Sequence, residues 1–219
     1  MSINEDALIW IDLEIDGLDL TKNFILEIAC IVTDFDLTNI HQGILYSYFL
    51  LIKYFLGPDL VINHSKSLLD AMRSWCTEHH TKSGFVQQVL DSKLSMSNAE
   101  TVIIHCILTD KNLNIIDEIV DGKTNDNLMK FVRRNQIYRE RRLVVAGKCL
   151  GPIRSELKNL APQFNEFCHY RSIDIDAISV LCEKWFLNIY KQRPFKNDND
   201  NDLKNSIELL RFYHSTIFK

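Results

Sequence analysis

The stretch Leu8–Asp36, LIWIDLEIDGLDLTKNFILEIACIVTDFD, sets the plan of the whole chain. It opens on LIWIDLE, an apolar run whose β-branched and aromatic content marks a central strand. Asp12 and Glu14 interrupt it. Side chains two apart on a strand share a face, so these carboxylates point one way while Ile11 and Leu13 point the other. An unpaired charge in an apolar run is costly. A divalent metal removes that cost, since Mg²⁺ and Mn²⁺ favour carboxylate and water oxygens. A solvent-facing pair on an edge strand satisfies the same pattern, and the stretch alone leaves both open. GLDLTKN carries a turn signal at Gly17, Phe24 to Thr33 is apolar again, and Glu27 lies inside it. The expectation is a hairpin with acids gathered near one end.

A chain of 219 residues, 46% hydrophobic and 25% charged, is long enough for one well-buried domain or two small ones. Its net charge of −4 provides no global positive field for long duplex nucleic acid, while a short substrate held by metals and a local patch fits. The six cysteines (Cys30, Cys76, Cys106, Cys149, Cys168, Cys182) are widely spaced without a CxxC pair, the pattern of reduced core residues rather than a disulfide frame or zinc site. The acidic start MSINEDA shows no targeting peptide. The most apolar window, ILYSYFLLIKYFL at 44–56, is too short for a membrane span and contains Lys53.

Further along, 44–56 reads as a strand or short buried helix ended by Gly57-Pro58, and LVIN at 60–63 as a brief strand. SKSLLDAMRSWCTEHH predicts one helix with Leu68, Met72, Trp75 and His79 on a core stripe. FVQQVL is helical, and the capping-box spacing of Ser97 and Glu100 predicts a helix start there. From Thr109 to Asp126 the chain is acidic, and from Lys130 to Lys148 it is basic. The two read as a paired solvated surface, or the basic run as a phosphate-contacting edge. LVVAG at 143–147 predicts a short parallel strand. Helices follow at Ile153–Leu160, over AISVLCEKWF and over DLKNSIELLRFYH, with SIDID at 172–176 as a strand. A meander followed by strands alternating with helices predicts a mixed α/β sheet with helices on both faces.

LIWIDLEIDGLD with ILEIACIVTDFDL, GPDLVINHSKSLLDAMRSWCTEHHTKSGF, PQFNEFCHYRSIDID and SIELLRFYHSTIFK together resemble the oligoribonucleases, nearest their animal form. That family belongs to the DnaQ-like 3′-to-5′ exonucleases. The resemblance implies a single domain over 1–219 with an RNase H-like mixed five-stranded sheet, and insertions at 44–56 and 101–126. It implies a two-metal phosphodiesterase acting on short RNA oligonucleotides, with Mg²⁺ or Mn²⁺ as cofactor, in a homodimer, in cytoplasm or mitochondria and without a membrane. Asp12 and Glu14 match the first two metal-binding acids and Asp202 the last. Leu18 matches a residue that wedges between terminal bases. Trp75, His79 or His80, and Ser83 fall in the stretch that lines the substrate site. His169, Tyr170 and Arg171 match a dimer-dependent clamp on the 5′ phosphate.

The middle of the site departs from the family. Where its motif is Gly-Asn-Ser followed by an Asp, this chain reads GKCLGPIRSEL from Gly147, so Lys148 and Cys149 replace Asn and Ser, and the Asp position falls on Ile153. The general-base His position falls on Asn197, with no His between His169 and His214. A Ser that caps the phosphate aligns with Asp176. The expectation is one retained metal site, carried by Asp12, Glu14 and Asp202, with catalysis impaired because a positioned base contributes ~10²–10⁴-fold. Two other readings stand beside this pseudoenzyme-like one. One is an active two-metal enzyme releasing 5′-mononucleotides, with Asp198 or Asp200 as base. The other is a non-catalytic interaction protein whose insertions form a new surface.

Overall fold

A computed structural model of the chain describes residues 7–17, 23–37, 56–109, 143–194 and 202–218, with the backbone alone for 56–58, 107–109 and 202. The opening hairpin forms as its sequence dictates. Strand β1 (Ala7–Ile15) pairs antiparallel with β2 (Ile25–Asp34) from Ala7–Asp34 to Glu14–Glu27, and the register slips between Glu14 and Ile15. Strand β3 (Leu56–Val61) pairs antiparallel with β2. On the other side β4 (Leu143–Gly147) runs parallel to β1, and β5 (Cys168–Asp174) parallel to β4. The order β3-β2-β1-β4-β5 makes a mixed five-stranded sheet with β1 in its centre.

The described helices are α1 (Lys66–Asp70), α2 (Ser74–Lys82), α3 (Phe85–Asp91), α4 (Met96–Thr109), α5 (Leu150–Leu160), α6 (Pro162–Phe167), α7 (Ile175–Trp185), α8 (Leu187–Tyr190) and α9 (Asp202–Thr216). They flank both faces of the sheet. Ala7, Ile9 and Ile11 of β1 pack with Val102 and Ile103 of α4, Leu150 and Leu157 of α5, and Phe164 of α6. Leu8 and Trp10 face the other way, onto Leu203 and Ile207 of α9. Residues 7–11 are therefore buried on both sides, and burying each large apolar side chain contributes roughly 1.5–3 kcal/mol. The Trp10 Nε1–H donates to Thr33 Oγ1 at 2.9 Å, so burial of the indole leaves no orphan donor. None of the described helices is long and apolar enough to cross a membrane.

Several local expectations change. The single helix expected over SKSLLDAMRSWCTEHH breaks at Ala71–Arg73 into α1 and α2. The break shifts the stripe: Leu69, Met72, Cys76 and His80 are buried, while Leu68, Trp75 and His79 are exposed. Gly57-Pro58 lies inside β3 rather than ending an element. Proline is tolerated there because β3 is an edge strand, which asks for ladder bonds on one side only. The Ser95 Oγ accepts from Asn98 N at the start of α4, two residues before the predicted cap. Glu100 instead accepts from Phe164 N at 2.7 Å, capping the first turn of α6. Residues 101–109, assigned by the sequence to an insertion, form the second half of α4, and Val102, Ile103, Ile104 and Cys106 are core. The rest of that stretch, residues 44–55 and most of the basic run lie outside the described residues. Five of the six cysteines are buried and all six are free, with Cys149 exposed.

Glycine is obligatory at the end of β4. A Cβ on Gly147 would lie 2.7 Å from the Ile11 carbonyl oxygen, a contact with backbone that no rotamer relieves. Gly147→Ala is expected to cost about 2 kcal/mol or more, lowering the melting temperature by roughly 4–8 °C at this chain length, measured by calorimetry.

Candidate active site

β1 leaves the shelter of its helices at Asp12. Asp12 and Glu14 follow Leu8 and Trp10 in strand alternation, so they project from the face that α9 covers. Asp12 is half-buried and Glu14 exposed. The direction of α9 follows from its far end, where Arg211 Nε donates 2.7 Å to the carbonyl of Leu37, just beyond β2 and beside the Ala7 end of β1. The helix rises ~1.5 Å per residue, so its first residue, Asp202, lies about 14 Å back from Arg211, toward the Asp12 end. Only the backbone of Asp202 is described.

Two further acids share this face. Glu27 lies directly across from Glu14, and Asp59 of β3 lies across from Ala29, which is itself across from Asp12. Burial, then the hydrogen bond to Asp59 and the charges of Asp59, Glu14 and Asp12, push the Glu27 carboxyl up to about 8. Carboxylates this crowded suit a divalent cation, whose charge would offset their repulsion. Among the described residues no three acids, histidines or cysteines are grouped to hold a metal, so Asp12 and Glu14 would need Asp202 or a neighbouring oxygen as a third ligand.

The other expected positions separate. Ile153 belongs to the core of Ile9, Ile11 and Leu157, on the sheet face opposite Asp12 and Glu14. The neighbouring Cys149 sits in a left-handed conformation (φ 50°) before α5, and its N–H and thiol both donate to Asp176 Oδ2, at 3.1 and 3.4 Å. Burial and that carboxylate push the Cys149 thiol up. Asp176 thus holds the start of α5, a role its sequence alignment does not suggest. Asp174 was not anticipated at all. Its Oδ2 accepts from Leu150 N at 3.0 Å, while Oδ1 accepts from Asp176 N at 2.9 Å and Ala177 N at 3.2 Å, so one carboxylate caps α5 and α7 together. An Asp directly before Ile175, from which the apolar period Ile175, Ile178, Cys182 runs, is the available signal.

On α2, the Trp75 and His79 rings stack at 5.2 Å and 5°, with Trp75 71% exposed. His80 is buried, which together with its neighbour His79 pushes its pKa down, and Ser83 Oγ donates to its carbonyl. Cys76 on the buried side of α2, with Met72 in the break before it, packs in one cluster with Leu26, the residue before Glu27, so this group adjoins the acid-bearing end of the hairpin. Tyr170 and Arg171 do not reach it. Ser172 is level with Ile9 through Val145, leaving Arg171 about four residues, roughly 13 Å, short of Asp12 along the strands and two strands across. The His169 and Tyr170 rings stack at 4.4 Å, and Arg171 N donates to His169 Nδ1. Leu18 and Asn197 lie outside the described residues.

The mitochondrial oligoribonuclease of Homo sapiens is 30% identical over 215 residues, covering 97% of this chain and 73% of its own length. A probable oligoribonuclease of Dictyostelium discoideum is 32% identical over 220 residues, covering 99% and 94%. The chain belongs to the oligoribonuclease family. An oligoribonuclease of Colwellia psychrerythraea matches over 100% of the chain at 29% identity. No protein-family model matches. As an oligoribonuclease-family member the chain has the RNase H-like α/β fold, and its mixed five-stranded sheet is that fold's framework.

The raised Glu27 carboxyl fixes a pH signature in metal-free protein. Its folded-state pKa exceeds the unfolded value, so its proton stabilises the fold fully below about pH 4.5, and that contribution is lost as pH rises through about 8. Glu27→Gln removes the titration. The melting temperature of the variant relative to the unaltered chain is expected to rise by a few degrees between about pH 5 and pH 8.5, read by thermal unfolding in chelator.

Proposed function

We propose that this chain binds short RNA oligonucleotides and removes nucleotides from their 3′ ends, at a rate reduced by the loss of two catalytic groups. The observation that carries this is family membership over nearly the whole chain, together with Asp12 and Glu14 on the face beneath α9. Asp12, Glu14 and Asp202 would hold one Mg²⁺ or Mn²⁺. When bound, such an ion supplies positive charge against the phosphate oxygens. The exposed Trp75–His79 stack offers a flat aromatic surface on which a base can stack, which is tolerant of sequence.

Two substitutions support the reduced rate. Ile153 stands in apolar packing where the family has an acid, and Asn197 cannot accept a proton at neutral pH where it has a His. Restoration at 153 is not simple, since a carboxylate there enters the core without a partner. The proposal includes a homodimer in which Tyr170 and Arg171 serve the partner's site, because they lie far from the acids of their own chain. Tyr170 at 70% exposed, Trp185 at 69%, and the exposed Phe186 and Leu187 supply apolar surface for such a contact.

Hydrolysis of a labelled dinucleotide with Mn²⁺ tests the activity. Turnover is expected at least ~10²-fold below that of the human relative, with the Mn²⁺ binding seen by calorimetry abolished by Asp12→Asn. Rapid cleavage that Asp12→Asn removes would instead establish a fully active enzyme. Ile153→Asp is expected to lower stability by about 3 kcal/mol or more, read by denaturant unfolding, without raising turnover. Light scattering should give twice the 25.6 kDa of one chain, and Trp185→Glu should return the single-chain mass.

A further inference from the structure

Glu156 is the most deeply buried carboxylate among the described residues, at 1% exposed, and nothing so far gives it a role. It lies on α5 one turn after Ile153. Its hydrogen-bond donor is Asn23 Nδ2, at 3.2 Å to Oε1, and the same amide nitrogen donates 2.9 Å to the carbonyl of Gly17. Burial, opposed by the Asn23 bond and reinforced by the charge of Asp16, pushes the Glu156 carboxyl up. A buried carboxylate served by a neutral amide is a poor choice for stability, since apolar residues of similar volume are often neutral or stabilising in such places.

What the bridge does hold is the end of the hairpin. The ladder between β1 and β2 slips between Glu14 and Ile15, and the next backbone bond, Asp16 N to the Phe24 carbonyl, is long at 3.4 Å. The regular ladder thus ends at Glu14, and what holds the chain beyond it lies outside the ladder. Gly17 and Asn23 stand on either side of the hairpin's loop end, and Asn23 ties Gly17 to a helix on the opposite face of the sheet. Asp16 Oδ1 accepts from Phe24 N at 2.8 Å, completing the clasp.

We propose that Glu156 is a positioning residue for the cation site: through Asn23 it fixes Gly17, and with it the end of β1 that presents Glu14. This rests on the reading of Asp12 and Glu14 as cation ligands. Residues that orient metal ligands cost about 10–100-fold in affinity when removed, and an effect transmitted through backbone belongs at the lower end of that range.

The test is Mn²⁺ titration of the full chain by calorimetry, with melting temperatures in chelator measured on the same samples. Glu156→Leu is expected to weaken Mn²⁺ about 10-fold while its melting temperature stays level or rises, a split that a purely structural role would not give. Glu156→Gln keeps the acceptor and should bind close to the unaltered chain. Asn23→Ala should weaken binding as Glu156→Leu does, and the double variant should be no weaker than either alone. If Leu at 156 prevents folding, Asn23→Ala decides alone. Unchanged affinity in Glu156→Leu, or in Asn23→Ala where that variant decides, overturns the proposal while leaving the cation site standing, provided Asp12→Asn still abolishes binding. Absence of any Mn²⁺ binding sensitive to Asp12→Asn overturns both.

Discussion

A central strand covered by helices on both faces admits no charge until it runs out from under them, and β1 is built on that constraint. From Ala7 to Ile11 every side chain is buried, alternating between the α4–α5–α6 layer and α9. The first acid comes at the next residue. The length of apolar sequence before Asp12 therefore matches the length of cover, and the start of α9 marks where the cover ends. Gly147 keeps β4 close enough to the Ile11 carbonyl for this strand to stay in register immediately before the acid. Core packing and the placement of the site are one problem with one solution.

The two faces of the sheet divide the chemistry between them. Acids collect on the α9 face, where burial, reinforced by the hydrogen bond to Asp59 and the charges of Asp59, Glu14 and Asp12, pushes the Glu27 carboxyl up to about 8. Position 153 belongs to the other face and has joined the apolar core. Its isoleucine is buried there, and a carboxylate at this position would enter apolar packing without a partner. The aromatic group on α2 attaches beside the acid-bearing end of the hairpin, whereas Tyr170 and Arg171 sit on the edge strand β5, level with the start of β1.

Much of this was legible in the sequence. The hairpin, its clustered acids, the parallel strand LVVAG and the final helix all follow from period and composition. What escaped was tertiary. The break at Ala71–Arg73 rotated the α2 stripe by one residue, which put Trp75 outside, and no local pattern marks a turn inside a strongly helical run. Glu100 looked like a local cap because its spacing from Ser97 fits one, but its bond goes to α6, some sixty residues on. Gly57-Pro58 reads as a terminator from sequence, because its position on an edge strand depends on sheet order, which the segment itself does not encode. Leu150 N, Cys149 N and Asn23 Nδ2, which donate to Asp174, Asp176 and Glu156, lie 24, 27 and 133 residues from them, beyond the reach of spacing arguments.

The carboxylate of Asp174 joins two crossovers that are otherwise separate units. One oxygen closes the start of α5, which follows β4, and the other closes the start of α7, which follows β5. Fraying of either helix leaves its amides without the acceptor that also anchors the neighbouring helix in place. The two βα junctions accordingly share one acceptor, so that losing this single carboxylate would leave Leu150, Asp176 and Ala177 N–H groups to find other partners at once.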